Sequence, residues 1–159
     1  MSRFYSVVFE GASVTAANGD YDLFYIAPAD DKPVKLWELL LYVTSELGDA
    51  QEEWLRLAVI RGHTTASSGG NSATPTPLMA TAQAAGFTAR TVDPTIATAG
   101  SPLTVNALGM NVRAGMERIW LPETGPECSQ GNTSILIRMM AAVADDVTMS
   151  GTLIVEETG

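Results

Sequence analysis

Hydrophobic and polar residues alternate most regularly in residues 147–156, which read V-T-M-S-G-T-L-I-V-E, with only Ile154 out of phase. Side chains leave a β-strand on opposite faces in turn, so this period predicts a half-buried strand. Residues 134–142 show the same period, and the Asp145-Asp146 pair between the two stretches suits a turn. We therefore expect an antiparallel hairpin that forms the floor of a sheet.

Further strands are predicted where β-branched and aromatic residues stand between turn signals. The predicted stretches are residues 3–10, 13–16, 21–27, 103–107, 110–112 and 117–121. Asn18-Gly19-Asp20 is the turn before residues 21–27, and residues 123–132 form a turn-rich loop before the last hairpin.

Residues 34–45 and 53–61 fit two structures. Their Leu and Glu content suits helices, and one helical stripe can be drawn through Leu36, Leu39, Leu40 and Val43. Alternation suits strands, and the Gly48-Asp49 turn would join the two runs as a hairpin. Because the rest of the chain is β-rich, strands are favoured and a helix pair is the alternative.

Two long segments, residues 62–89 and 94–112, contain no Asp, Glu, Lys or Arg and are rich in Ala, Thr, Gly and Ser. Charged residues are depleted at the centres of subunit contacts. We interpret the segments as meandering loops that pack at least partly against a neighbouring chain, with plain mobile loops as the alternative. About eight strands with such loops predict an all-β, jelly-roll-like β-sandwich in one domain, residues 1–159.

The chain has a formal charge of −9, from nine Lys or Arg against eighteen Asp or Glu. Binding to phosphate backbones needs clustered cations, and the sequence has no such cluster. Nucleic acid and anionic membranes are therefore not expected partners. The start of the chain shows no apolar run followed by a cleavage site, so we expect no secretory signal.

No set of residues predicts catalysis, a cofactor or a metal site. His63 is the only histidine, and a nucleophile would need a histidine base within reach. Cys128 has no adjacent cation that would activate it. Adjacent carboxylates are interpreted as solvated charge, since neighbours in a strand point to opposite faces and the other pairs lie in turns; the pairs are Asp30-Asp31, Glu52-Glu53, Asp145-Asp146 and Glu156-Glu157. A calcium site at such loops is the alternative.

The three tryptophans lie in apolar runs, which favours packing in the core or at an interface; they are Trp37, Trp54 and Trp120. Stacking against a sugar is the alternative role.

Several strings along the chain resemble a group of small structural proteins of tailed bacteriophages. The strings are S-E-L-G-D-A-Q-E-E-W-L-R-L-A-V-I-R-G-H-T-T, G-G-N-S-A-T-P-T-P-L, A-A-G-F-T-A-R-T, N-V-R-A-G-M-E-R-I-W-L-P-E and V-T-M-S-G-T-L-I-V-E-E. The similarity extends from residue 34 onward, whereas residues 1–31 match only loosely. Members with an assigned role act as head decoration, or cement, proteins.

The resemblance implies a jelly-roll-like sandwich that self-associates, often as a homotrimer, and binds the major capsid protein lattice. The expected location is the outer surface of the virion head, after synthesis in the host cytoplasm. The resemblance brings no catalytic residue with it, so we expect non-enzymatic capsid decoration. We expect the uncharged segments to make subunit or capsid contacts and the acidic turns to face solvent. Another virion role (tail, fibre-associated or minor capsid) and a carbohydrate-binding module are the alternatives.

Overall fold

The computed structural model describes residues 2–45 and 52–159, and these residues form almost nothing but β-strands. The strands, in chain order, are β1 (Ser2–Val14), β2 (Tyr21–Ala27), β3 (Val34–Val43), β4 (Trp54–Arg61), β5 (Asn71–Ala73), β6 (Thr76–Pro77), β7 (Thr88–Asp93), β8 (Leu103–Asn111), β9 (Met116–Ile119), β10 (Glu127–Cys128), β11 (Ile135–Met139) and β12 (Val147–Thr158). Two single-turn 3₁₀ helices, Ala16–Asn18 and Gln130–Asn132, complete the regular structure of the described ranges. The predicted all-β class is confirmed, and none of the described residues belongs to a helix that could span a membrane.

Two antiparallel sheets pack face to face as a sandwich. Sheet A runs β6-β1-β12-β3, with β9 and β10 both paired to the free side of β3, and sheet B runs β5-β7-β2-β11-β4-β8. Eight of the strands nest in pairs: β1 with β12, β2 with β11, β3 with β9, and β4 with β8. A long hairpin rolled up in this way is a jelly roll, as the sequence analysis expected.

Both predicted hairpins are wrong, although the strands that form them are right. β12 lies in sheet A between β1 and β3, whereas β11 lies in sheet B between β2 and β4. Likewise β3 belongs to sheet A and β4 to sheet B, so residues 34–45 and 53–61 are strands that do not pair with each other. The Gly48-Asp49 turn lies outside the described residues. Each of these four strands instead pairs with strands that are distant from it in the sequence.

The main core lies between the sheets and takes side chains from the inner faces of both. The rings of Phe9 in sheet A and Phe24 in sheet B meet there with centroids 5.1 Å apart. The in-phase residues of β12 point into this core, as their alternation predicted. Gly151 is required among them, because a Cβ at that position would lie 2.7 Å from Leu41 Cδ2 and 2.8 Å from Phe9 Cε1.

Sheet B is covered on its outer face as well, which explains why every residue of β11 is buried. Residues 62–70 and 94–101, here called the covering loops, run antiparallel and bond to each other through Thr65 with Thr98 and Ser68 with Thr95. A second, smaller cluster of buried apolar side chains forms where Ala97 of the covering loops packs on sheet B; its other members are Tyr25, Ala58, Ile60 and Leu136.

The uncharged segments are therefore more ordered than predicted. Residues 62–89 contain β5 and β6, and the two weak strands predicted at 103–107 and 110–112 are the single strand β8. Part of each segment packs on the chain's own sheet B through the covering loops. Packing against the chain's own sheet B is sufficient to explain why the covering loops lack charge. A neighbouring chain is not needed to explain it.

Candidate contact surface and buried ionic cluster

Two aspartates lie directly opposite each other beneath the covering loops. Asp22 on β2 and Asp93 on β7 are register partners, and both are fully buried. Carboxylates this close repel each other unless each has its own cation. Arg138 Nε donates to Asp22 Oδ1 at 2.6 Å, and Arg90 Nη2 donates to Asp93 Oδ1 at 2.8 Å. The hydrogen bonds to Asp93 raise the pKa of the Arg90 guanidinium above its usual value.

The same carboxylates hold the covering loops. Further donors to them come from both loops: Ala97 N to Asp22, and Ser67 Oγ and Gly70 N to Asp93. Arg138 Nη2 also donates to the carbonyl oxygen of Ala97 at 2.9 Å. All four carboxylate oxygens thus accept hydrogen bonds, so the cluster fastens the loops to sheet B and leaves no carboxylate oxygen unpaired for proton transfer.

His63 is a structural residue of this covering layer. Its side chain is buried, and Nδ1 lies 3.1 Å from the carbonyl oxygen of Ala99. Its own carbonyl oxygen accepts the hydroxyl of Ser134 at 2.8 Å. These contacts join the two covering loops to the start of β11.

Cys128 is buried on β10 and makes no disulfide. Burial raises the pKa of the Cys128 thiol to about 12, and the nearby positive charge of Arg61 lowers it only in part. A thiol with this pKa is protonated at neutral pH and is a poor nucleophile.

The three tryptophans have three different environments. Trp120 is buried at 2% exposure, and its indole N–H donates to Asn106 Oδ1. Trp37 is half-buried, donates to Glu156 Oε2 at 2.6 Å and packs edge-on against Phe4. Trp54 is 71% exposed, so the prediction of a core position is wrong for this residue. Packing at an interface and stacking on a sugar are the roles left for it.

Two of the four carboxylate pairs, Asp30-Asp31 and Asp145-Asp146, are exposed in turns as expected, and Asp146 accepts from Ala16 N. In the third pair Glu52 is exposed, whereas Glu53 is half-buried and accepts from Ala144 N. The fourth pair, Glu156-Glu157, is buried, so solvated charge is the wrong interpretation there.

The two buried glutamates point to opposite faces of β12, as adjacent strand residues must. Glu156 accepts the Trp37 indole N–H on the outer face of sheet A. Glu157 accepts hydrogen bonds from Gly86 N and Phe87 N, and its Oε1 lies 3.8 Å from Lys32 Nζ. Both side chains are therefore structural.

The outer face of sheet A carries an apolar surface that the sequence pattern did not reveal. Register places Val8, Thr152, Leu40 and Glu117 in one row across the four strands, and Ser6, Ile154, Glu38 and Ile119 in the next. Diagonal neighbours in adjacent rows lie within reach of each other. We define the sheet A patch as Val8, Leu40, Ile119 and Ile154 from these rows, together with Tyr42, which lies two residues beyond Leu40 on the same face of β3.

Three members of the sheet A patch are strongly exposed: Val8 at 45%, Tyr42 at 49% and Ile119 at 61%. Single exposed apolar residues are normal, but a contiguous group rimmed by polar residues marks a contact site. The charged members of the two rows are Glu38 and Glu117, both negative. The patch therefore suits a partner with an apolar surface and neighbouring cations.

Comparison with known proteins shows no matching family model and no matching curated protein. Among solved structures, the chain is similar to a mutant VP2 protein of infectious bursal disease virus in derived T=1 particles, at 11% identity over 98% of this chain and 40% of that chain, with a TM-score of 0.23. A VP2 subviral particle of the same virus gives 13% identity, 99% and 42% coverage and a TM-score of 0.21. The chain spans about two fifths of these proteins, and TM-scores this low carry no argument about function.

We expect the substitution Asp22→Asn to lower the free energy of unfolding by about 3–5 kcal/mol, because it leaves the Arg138 charge buried without its counterion. Urea unfolding followed by tryptophan fluorescence measures this loss. Asp145→Asn removes the same charge from an exposed turn and should change stability by less than about 0.5 kcal/mol. Equal losses of stability from the two substitutions would contradict a stabilising role for the buried ion pair of Asp22 with Arg138.

Cys128 predicts a pH dependence of stability. Its pKa is raised from 9.0 to about 12 in the fold, so above pH 9 the unfolded chain loses a proton that the folded chain keeps. Stability should then fall with rising pH, by at most about 1.4 kcal/mol per unit from this group. Cys128→Ala should flatten the slope between pH 9 and 11, and an unchanged slope would rule out this contribution.

Proposed function

We propose that this chain is a non-enzymatic virion structural protein of a tailed phage, which decorates the outer surface of the assembled head and stabilises it. The observation that carries the proposal is the sheet A patch on a jelly roll whose interior is filled with side chains. An exposed apolar face of a rigid sandwich suits a protein that acts by burying area against a partner.

Decoration needs a partner surface that exists only after assembly. A protein that binds the assembled shell and not its free subunits stabilises the shell by mass action. Self-association, as the homotrimer that the resemblance implies, would multiply the attachment points and raise the effective concentration of each. Glu38 and Glu117, which lie in the same rows as the sheet A patch, would meet lysines or arginines of the capsid lattice. A tail, fibre-associated or minor capsid location is the alternative on the same physical grounds.

A carbohydrate-binding module is the second candidate, and Trp54 favours it. A tryptophan with most of its ring in solvent can stack on a sugar face. Trp37 and Trp120 are unsuited to this role, since one is half-buried and hydrogen-bonded and the other belongs to the core.

We expect Ile119→Asp to weaken binding to expanded heads at least tenfold in a co-sedimentation assay, because it buries a charge against the apolar surface of the partner. Met79→Asp is the matched control: Met79 is 67% exposed and follows β6, outside the sheet A patch. The control should bind as the unmodified protein does if the sheet A patch makes the contact, whereas weaker binding would point to the uncharged segment 62–89, which contains Met79. Binding of Ile119→Asp as tight as that of the unmodified protein would exclude the sheet A patch as the contact surface. Electron microscopy of labelled particles then distinguishes a head location from a tail location.

If the second candidate is correct, the unmodified protein should bind glycans on an array, and Trp54→Ala should abolish that binding with unchanged stability. Trp54→Phe keeps a stacking ring and should retain part of the affinity. Glycan binding that survives Trp54→Ala would exclude this residue as the platform.

A further inference from the structure

The two sheets end in four edges within the described ranges, and three of them are protected against pairing. β6 has two residues and ends in Pro77, and β5 has three residues. On the third edge β9 and β10 are short, are separated by residues 120–126, and carry Glu117, Arg118 and Glu127. Short strands, charges and proline are the devices by which proteins prevent edge-to-edge association.

The fourth edge, β8, is long and has neither charge nor proline; its one irregularity is a register shift between Thr104 and Asn106, beyond which residues 106–111 pair regularly. Its nine residues, L-T-V-N-A-L-G-M-N, contain no charge and no proline, although the chain as a whole carries −9. One side of β8 pairs with β4, and the sheet ends on its other side. A long neutral edge of this kind accepts another strand.

The register shows which backbone groups are open. Val112 N donates to the Glu53 carbonyl oxygen at 3.0 Å, and hydrogen-bonded pairs alternate along an antiparallel ladder. The pairs bonded to β4 therefore fall at Asn106, Leu108 and Met110. The N–H and C=O groups of Ala107 and Gly109 then point away from the sheet, and both residues are exposed.

We propose that the β8 edge pairs antiparallel with β8 of a second copy of this chain, about a twofold axis at Leu108. Ala107 of each copy then lies opposite Gly109 of the other, and the open groups of these residues form four hydrogen bonds. Trp54 is drawn into the contact, since its Cε3 lies 3.9 Å from the position of a Cβ on Gly109. The two sheets B become one continuous sheet of twelve strands.

The absence of charge on β8 permits a second copy at this edge. Two chains that each carry −9 repel each other where acidic surfaces meet. β8 is a long edge strand with no charged residue of its own, so two copies can approach there without that repulsion. The contact does not depend on head binding. It yields a dimer, or a hexamer if the chain also forms a trimer.

Hydrogen exchange on the unmodified protein provides the direct test. The Ala107 and Gly109 amides should be protected at high protein concentration and exchange at least tenfold faster on dilution, whereas the Leu108 and Met110 amides, which bond to β4, stay protected throughout. Light scattering should show an even number of chains over the same range. Fast exchange at Ala107 and Gly109 at every concentration would overturn the proposal, as would protection that appears only when capsids are added.

One substitution extends the test. Ala107→Pro removes an outward N–H that β4 does not use, so it should halve the mass with little change in stability. If Ala107→Pro keeps the full mass while folded, β8 is not the contact.

Discussion

The buried pair of Asp22 and Arg138 is the interaction on which the outer layer of sheet B depends. The covering loops are mostly Thr, Ser, Ala and Gly, so they bury little apolar surface of their own. Their attachment comes instead from hydrogen bonds to carboxylates that are already fixed by arginines. Removal of either partner leaves a buried charge, and an uncompensated charge costs far more than the pair contributes. The layer is thus held by a few strong polar contacts, and Tyr25, Ile60 and Leu136 are shielded from water as a result.

The sequence was sufficient to predict strands and the sandwich, since the alternation in residues 147–156 reports directly which side chains face the core. It did not predict pairing, because a period of two says which face is buried and nothing about which strand lies alongside. β11 and β12 are near in sequence and carry matching patterns, yet they belong to different sheets. The jelly roll joins strands far apart in the chain, which local patterns do not encode.

The buried ionic cluster has a signal in the sequence. Asp22 stands inside Y-D-L-F-Y-I and Arg138 inside S-I-L-I-R-M, and a single charge within an apolar strand must be paired when the strand is buried. The sheet A patch had no such signal. Val8, Leu40 and Ile119 are separated by many residues, and only the register of three strand pairs places them together. The exposure of Trp54 was equally hidden, since an apolar run suggests a buried ring.

The pairing of β1 with β12 limits how early sheet A can be completed during synthesis. Before β12 emerges from the ribosome, β1 can pair only with the two residues of β6, and β2 and β3 likewise lack one of their two neighbours until β11 and β12 are made. Contacts between such distant residues form slowly because a long loop must close first. The nascent chain therefore presents incompletely paired apolar strands until β12 is made, and its yield in the cell depends on how well they are shielded up to that point.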